Sequence, residues 1–298
     1  MPFKNITHFS NDGISNLLEI NLQYFLTDAF MRIGGIIPLR TSVLQPDNSN
    51  NVVNLQVWNA TVQSWSPRYL SGGNIVVVPA TVTVNGLAEP NVTINYSKGQ
   101  VTFAGNLLAT DIVEASHYSN KVGIYNTLER NRRPMIRLES MTSTDNNEDF
   151  SSFQELSVSE TIAPPFILIE TFPTGSASPV MVGSGAVWAA RRVQLNVATE
   201  TIGELSKILD ILNVQSHRTI KLFNTSRAAS EGLLPIDPLT GDINSSPNAL
   251  QYPELIKQCC AGYVSWKAIS VRKFKTVRED ICVGIAYFTV EVESNPKL

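Results

Sequence analysis

"NVTINYSKGQVTFAGNLLATDIVEASHYS", residues Asn91 to Ser119, sets the expected architecture of the first half of the chain. Apolar and polar residues alternate on either side of Ser97-Lys98-Gly99, which predicts two strands joined by a tight turn that needs glycine at positive φ. Asp111 to Tyr118 predicts a third strand. Its candidate core residues are Ile112, Val113, Ala115 and Tyr118. No catalytic motif interrupts the alternation, so the stretch is interpreted as scaffold.

The β pattern extends in both directions from this stretch. From residue 36 to residue 120, short segments rich in Val, Ile and Thr are separated by Gly, Pro and Asn at close intervals. They include "VVNLQVWN" and "GNIVVVPATVTVNG", and this spacing is typical of an antiparallel β module. Trp58, Trp65 and Tyr69 are interpreted as core residues of this module, with an aromatic sugar-binding platform as the alternative.

The chain before the β module predicts one amphipathic helix. Over residues 14–34, apolar side chains recur at i, i+3 and i+4 for about five turns. The stripe consists of Leu17, Leu18, Asn21, Leu22, Phe25, Leu26, Ala29, Phe30 and Ile33. The candidates for the N-terminal cap are Ser10, Asn11 and Asp12. Gly34-Gly35 indicate the end of the helix. So broad a stripe requires a partner surface, either in its own domain or on another subunit.

The last part of the chain mixes both periodicities. "PPFILIETF", "AVWAARRVQLNVA", "RTIKLFN", "CAGYVSWKAISVRKFKT" and "ICVGIAYFTVEVES" predict strands, and "ETIGELSKILDILNVQ" predicts an amphipathic helix capped by Thr199 or Thr201. The apolar stripe of that helix is Ile202, Leu205, Ile208, Leu209 and Leu212. These segments predict a mixed sheet flanked by helices.

The predicted fold class is therefore α+β, divided into four segments. These are an N-terminal helix (1–35), an antiparallel β module (36–120), a bridge (121–160) and an α/β domain (161–298).

Two loops are candidates for contact with a partner. The bridge carries the basic cluster Arg130, Arg132, Arg133 and Arg137, followed by the polar run "STDNNEDFSS". Four arginines without interleaved aromatic residues favour a solvated or inter-subunit patch over phosphate binding. The second loop, residues 225–253, is far longer than the usual loop of about five residues. Its candidate contact residues are Leu233, Leu234, Ile236 and Tyr252.

The composition excludes some classes of protein. The chain has 298 residues, 43% hydrophobic and 16% charged, which is enough to bury a sizeable core. Its net charge of −3 gives the whole chain no attraction for nucleic acid or acidic lipid, although local patches remain open. No run approaches the roughly 18 apolar residues of a membrane span, and no signal peptide is evident. We expect a soluble protein without a membrane partner.

The residues that could carry chemistry form no recognisable site. Ser184 lacks the G-x-S-x-G nucleophile elbow, and Asp237 and Asp242 lack the other ligands of a calcium loop. The remaining candidates are Cys259, Cys260, Cys282, His8, His117 and His217. The cysteines are expected to pack as small hydrophobes, and the histidines to lie in loops or at strand ends. There is no C-x-x-C zinc pattern and no nucleotide-binding loop. The sequence therefore predicts no enzyme, metal or cofactor.

A longer pattern runs through the opening stretch and the segment before it. It consists of Val82, Val84, Asn85-Gly86, Ile94, Tyr96, Gly99, Val101, Phe103, Asp111, Val113, Ala115 and Tyr118. This pattern resembles a recurrent module of tailed-bacteriophage virion proteins. Residues 161–298 are similar, more loosely, to tail-terminator and neck proteins of long-tailed phages, since the "PPFILIETF" strand and a long strand through Arg191-Arg192 precede a helix and further strands.

The resemblance implies a structural virion protein at the phage head–tail junction. Such a protein forms a ring, expected to be a hexamer, that caps the tail tube and sheath and docks the neck or connector. The implied location is the tail or neck of the virion, assembled in the host cytoplasm, with passing contact to packaged DNA as a further expectation. The alternatives are another neck or tail component, such as a stopper or baseplate protein, and a carbohydrate-binding adhesion module.

Overall fold

The computed structural model describes residues 13–47, 55–126 (except 73, 97, 106 and 109), 164–179, 187–234, 250, 252–273 and 281–294. Strands dominate this part of the chain, which combines a helix near the N-terminus, antiparallel sheets and a mixed sheet. The predicted α+β class is confirmed.

The β module contains eleven strands within the described residues. They are β1 (Ile36–Val43), β2 (Gln45–Pro46), β3 (Leu55–Asn59), β4 (Trp65–Ser66), β5 (Arg68–Ser71), β6 (Asn74–Val77), β7 (Thr81–Val84), β8 (Leu87–Ala88), β9 (Val92–Asn95), β10 (Gln100–Ala104) and β11 (Val113–Asn120). One sheet has the order β1-β11-β7-β8, with β4 also paired to β11, and a second has the order β2-β3-β10-β9. The short strands β5 and β6 pair only with each other among the described residues.

The hairpin predicted in the opening stretch is present. Strands β9 and β10 pair antiparallel, and Gly99 adopts φ +63° in the turn between them. The predicted third strand, β11, does not join this hairpin but pairs with β1 and β7 in the other sheet. The two sheets meet in one core because Val101 and Phe103 of β10 and Val113 and Ala115 of β11 belong to the same buried cluster.

The rest of the described chain forms a six-stranded mixed sheet and its helices. The strands are β12 (Gly123–Asn126), β13 (Phe166–Pro179), β14 (Val187–Thr199), β15 (Thr219–Phe223), β16 (Cys260–Lys273) and β17 (Cys282–Ser294). The helices are α1 (Ile14–Arg32), α2 (Ile202–Asn213), α3 (Thr225–Ser230) and α4 (Tyr252–Cys259). The strand order is β12-β13-β14-β17-β16-β15, in which only the β12–β13 pair is parallel among the described strands.

Helix α2 shows how the sequence pattern produces this packing. Thr201 caps it, as its hydroxyl accepts a hydrogen bond from the Glu204 N–H at 3.2 Å. The predicted stripe is buried against β14 and β17, except for Ile202, which is 54% exposed in the first turn. Gly284 of β17 allows this close approach, because a Cβ there would lie 2.8 Å from the Leu209 side chain.

Helix α1 is more enclosed than its apolar stripe predicts. Its buried residues lie on nearly every side and include the polar Glu19, Asn21 and Asp28. It packs against β12, β13 and β15 of the six-stranded sheet and also contacts β5 of the β module. The apolar residues of α1 therefore belong to the main core.

The two ends of α1 are built differently. At the start, Gly13 occupies the cap position without a side-chain hydrogen bond, and the predicted caps Ser10, Asn11 and Asp12 lie outside the described residues. At the end, Gly34 adopts φ +83° and the Gly35 N–H donates to the Phe30 carbonyl at 2.8 Å.

The predicted bridge is continuous with the six-stranded sheet at its start. Residues 123–126 form β12, which pairs in parallel with the first four residues of β13. Residues 127–160 of the bridge lie outside the described part of the chain.

Candidate functional site

The candidate site is one end of the β module, where the strand pair β7–β8 turns. Asn85 and Gly86 connect the two strands, and their φ angles are +52° and +80°. A two-residue hairpin loop with both φ angles positive is the I′ geometry that Asn-Gly favours. The Asn-Gly dipeptide in the sequence is therefore the signal that predicts the position of this turn.

A hydrogen-bond network fastens this turn to the loop before β11. The Asn85 Nδ2 donates to Asp111 Oδ1 at 2.9 Å, and the Ile112 N–H donates to Asn85 Oδ1 at 2.9 Å. The Asn85 N–H also donates to the Ile112 carbonyl at 2.8 Å. The second oxygen of Asp111, Oδ2, accepts from the Leu108 N–H at 2.7 Å. Two residues distant in sequence thus hold two loops in one arrangement.

Four aliphatic side chains are exposed on this end of the module. We call this surface the apolar tip, and it consists of Val43, Leu87, Leu108 and Ile112. Val43 lies at the same end of the sheet because it pairs with Glu114 at the start of β11. The alternation turns Val43 to the face of Glu114, whereas Leu87 pairs with Val84 and lies on the other face. The exposed fractions of the four side chains are 53%, 76%, 68% and 57%, respectively. Exposed aliphatic side chains gathered at one end of a module are a candidate site for a protein partner.

The exposure of Ile112 corrects a prediction. Ile112 was expected in the core with Val113, Ala115 and Tyr118. Strand β11 begins only at Val113, and its alternation buries Val113 and Ala115, while Tyr118 points to the half-buried side. Ile112 precedes the strand, where its backbone is bound to Asn85, and its side chain faces solvent.

The six-stranded sheet has a second kind of candidate surface, its strand edges. Strand β12 covers β13 only as far as Ile169, and β15 covers β16 only as far as Ser265. Among the described residues, the outer edges of 172–179 in β13 and 268–273 in β16 have no paired strand. They belong to opposite sides of one sheet. Unpaired edges of this kind are templates for strand pairing with another chain.

The predicted contact residues fall into two groups. Arg130, Arg132, Arg133, Arg137 and Ile236 lie outside the described residues. The others, Leu233, Leu234 and Tyr252, are each 6% exposed and belong to the main core. These three side chains leave little surface for a partner.

Tyr252 shows the role of these buried residues. Its ring packs edge-on against Phe25 of α1 and Phe223 of β15, and its hydroxyl donates to the Lys221 carbonyl at 3.0 Å. Burial raises the pKa of this hydroxyl. Tyr252 therefore joins α4 to α1 and β15.

The aromatic residues considered as a sugar platform are mostly internal. Trp58 and Trp65 are 4% and 2% exposed and belong to the core of the β module. Tyr69 is half-buried and stacks on Tyr118, with ring centroids 4.6 Å apart. Because the two tryptophans are buried, they do not form the exposed aromatic platform that suggested sugar binding.

His117 lies inside β11, not at a strand end as predicted. Its ring stacks on Trp65 with centroids 4.0 Å apart, and its two nitrogens lie 2.9 Å from the Ser42 hydroxyl and 3.0 Å from the Ser119 hydroxyl. Burial lowers the pKa of His117 to about 4. The arrangement places neutral imidazole between two hydroxyl groups in the interior of the module.

The remaining candidates for chemistry give no site within the described residues. His8, Ser184, Asp237 and Asp242 fall outside them. Cys259 and Cys282 are buried as expected, whereas Cys260 is exposed, because the strand that begins there turns it away from the core. The described chain holds no cluster of three or more metal-ligating side chains and no helix long and apolar enough to span a membrane.

No protein-family model matches the sequence, and no curated protein matches it.

Proposed function

We propose that the chain is a structural protein of a tailed-phage virion, which forms a ring at the head–tail junction, caps the tail tube and sheath, and docks the neck or connector. The observation that carries this proposal is the apolar tip. Its four aliphatic side chains are exposed at the end of the module where the Asn85–Asp111 network fixes the backbone of Leu108 and Ile112 beside the β7–β8 turn. A surface that is already ordered loses little conformational entropy on binding, which favours docking to a partner.

The edges of the six-stranded sheet that have no paired strand among the described residues support self-association. These edges, on β13 and β16, lie on opposite sides of the sheet, so one copy can add to the next through two different surfaces. Head-to-tail contacts of this type generate closed rings when the rotation between copies closes. The expected stoichiometry of six comes from the resemblance in the sequence.

Two measurements test this function. The first is the mass in solution, expected to be six times the 32.7 kDa of one chain. The second is electron microscopy of the purified protein mixed with isolated tail tubes, in which rings are expected at the tube end that faces the head. Rings found instead at the opposite end would favour a baseplate component. A monomer that never binds tubes would contradict both the ring and the virion role.

A further inference from the structure

The face of the six-stranded sheet that points away from the helices carries an unusual group of side chains. Val193, Leu195 and Val197 of β14 enter the helix-covered core, so the alternation places Arg192 and Gln194 on the opposite face. On the neighbouring strand β17, Tyr287 lies directly across from Gln194. Across the next pair, Ser270 of β16 is opposite Tyr287, and Arg272 lies two residues along.

Two guanidinium groups flank the ring of Tyr287. The Arg192 Cζ lies 4.3 Å from the ring centroid, and the Arg272 Cζ lies 5.9 Å from it. Both arginines are exposed and Tyr287 is half-buried. Stacking on an aromatic ring occupies the flat face of a guanidinium and leaves its N–H edge free to donate to an acceptor.

Neither arginine is neutralised by a carboxylate in the described structure. The ion pairs found there are Arg32–Asp28, Arg227–Glu231 and Lys267–Glu291. The carboxylates nearest by register are Glu170, which lies across from Gln194 on the far side from Tyr287, and Glu291, which is two residues from Thr289 and forms an ion pair with Lys267. Among the described residues, two positive charges therefore lie beside one aromatic ring without a bound counter-charge.

We propose that this patch of Arg192, Tyr287 and Arg272 binds the phosphodiester backbone of nucleic acid. The N–H edges of two arginines suit phosphate oxygens, and the tyrosine ring between them holds the two guanidinium groups in place for that contact. The three side chains lie on the part of this face where Ser270 and Thr289 are also exposed, whereas the face is buried at Asn196 and Val283. The exposed part suits an extended chain. The net charge of −3 does not oppose this, since binding to phosphate depends on local cations. Nucleic-acid binding here does not depend on ring formation.

The test is fluorescence anisotropy with the full chain and a labelled 30-nucleotide DNA, as a single strand and as a duplex, from 50 to 200 mM NaCl. The wild type should bind at 50 mM salt and weaken as salt rises. In Arg192→Gln/Arg272→Gln, affinity at 50 mM salt should fall roughly 5- to 10-fold, and the slope of log affinity against log salt should flatten by about 2. Arg192→Lys/Arg272→Lys keeps the charge but not the planar stacking, so its affinity should be intermediate.

The matched control is Lys207→Gln/Arg227→Gln, which removes the same charge from exposed positions on α2 and α3. Its affinity should stay within about twofold of the wild type, since its cations lie on helices away from the patch. Circular dichroism melting checks that every variant folds. Equal weakening by patch and control variants would overturn the assignment, as would no binding by the wild type at 50 mM salt. Binding to phosphatidylserine vesicles without binding to DNA would also overturn it.

Discussion

At the scale of single residues, polar side chains inside the molecule hold its parts in place. Asn85 and Asp111 join two loops at the apolar tip, and His117 joins two strands of the β module through hydroxyl partners. The contact between Asn85 and Asp111 was hard to predict, because hydrophobic patterning gives no signal for a polar contact between two loops. His117 occupies an inward position of β11 between Val113 and Ala115 on one side and Ser119 on the other, so its burial follows from the alternation alone.

The stability of the chain should depend on pH through His117. Its pKa is about 4 in the folded chain and about 6.5 when unfolded, so the unfolded chain binds a proton first as pH falls. The stabilisation is complete above pH 6.5 and is lost as pH falls towards 4, by about 2 to 3 kcal/mol. Urea unfolding of the wild type and His117→Gln from pH 7 to pH 4 measures this.

The His117→Gln variant should lose the part of the pH dependence that lies between pH 6.5 and pH 4. His217→Gln is the control, because His217 is exposed in a turn, and its pH profile should match that of the wild type. An unchanged profile in His117→Gln would contradict the assignment.

At the scale of elements, turns and helix caps were predictable from the sequence, whereas the pairing of strands and the packing of helices were not. The β9–β10 hairpin and the start of α2 follow from a turn glycine and a capping threonine a few residues away. The pairing of β11 with β1 and β7 joins segments far apart in sequence, and alternation cannot choose between partners. The enclosure of α1 was missed for the same reason, because its polar residues have partners more than a hundred residues away.

Those polar contacts tie α1 to three strands of the sheet. The Glu19 carboxylate accepts from the Thr171 N–H and hydroxyl at 2.9 and 2.8 Å, which fixes the helix to β13. Gln23 donates to the Ile124 carbonyl of β12 at 3.0 Å. Asn21, fully buried, accepts from the Phe223 N–H at 2.8 Å and donates to the Phe223 carbonyl at 3.0 Å in β15.

Replacing Asn21 by leucine should therefore destabilise the chain although it adds an apolar side chain. The change leaves the buried Phe223 N–H and carbonyl without their partner, at a cost of about 2 to 4 kcal/mol. Asn16→Leu is the control, since Asn16 is exposed on the same helix, and it should change stability by less than about 0.5 kcal/mol. Urea unfolding compares the two. Equal stability of both variants would show that the Asn21 contacts contribute nothing.

At the scale of the whole molecule, the described chain presents different surfaces to different kinds of contact. The edges of β13 and β16 are the surfaces proposed for contact with other copies of the chain. The apolar tip, in the β module, is the surface proposed for docking to a tube or connector. The predicted contact residues Leu233, Leu234 and Tyr252 were taken as exposed because they follow a long loop pattern, but all three belong to the main core, and Tyr252 lies in α4 against Phe25 of α1. The tip was missed because exposure of Leu87 and Ile112 depends on where strands end.

The two surfaces should be separable by mutation. In Leu87→Ser/Ile112→Ser, the apolar tip loses two side chains but the Asn85–Asp111 network remains, so the mass in solution should not change. Binding to isolated tail tubes or connectors, measured by co-sedimentation, should weaken at least about 10-fold if these side chains are central to the contact. Ile202→Ser/Val214→Ser changes two exposed aliphatic residues on and beside α2 and should bind as the wild type does. Loss of binding in both variants, or in neither, would exclude the tip as the docking surface.

The hydrogen bonds between Asn21 and Phe223 also have a consequence for synthesis. These residues are 202 positions apart, so β15 leaves the ribosome roughly 10 to 40 s after α1 at usual elongation rates. During that interval, the sheet that covers α1 is incomplete, because only β12 and β13 of the sheet strands that pack on it precede β15. The helix is therefore a natural client for chaperones on the nascent chain, and its core closes only when most of the protein has been made.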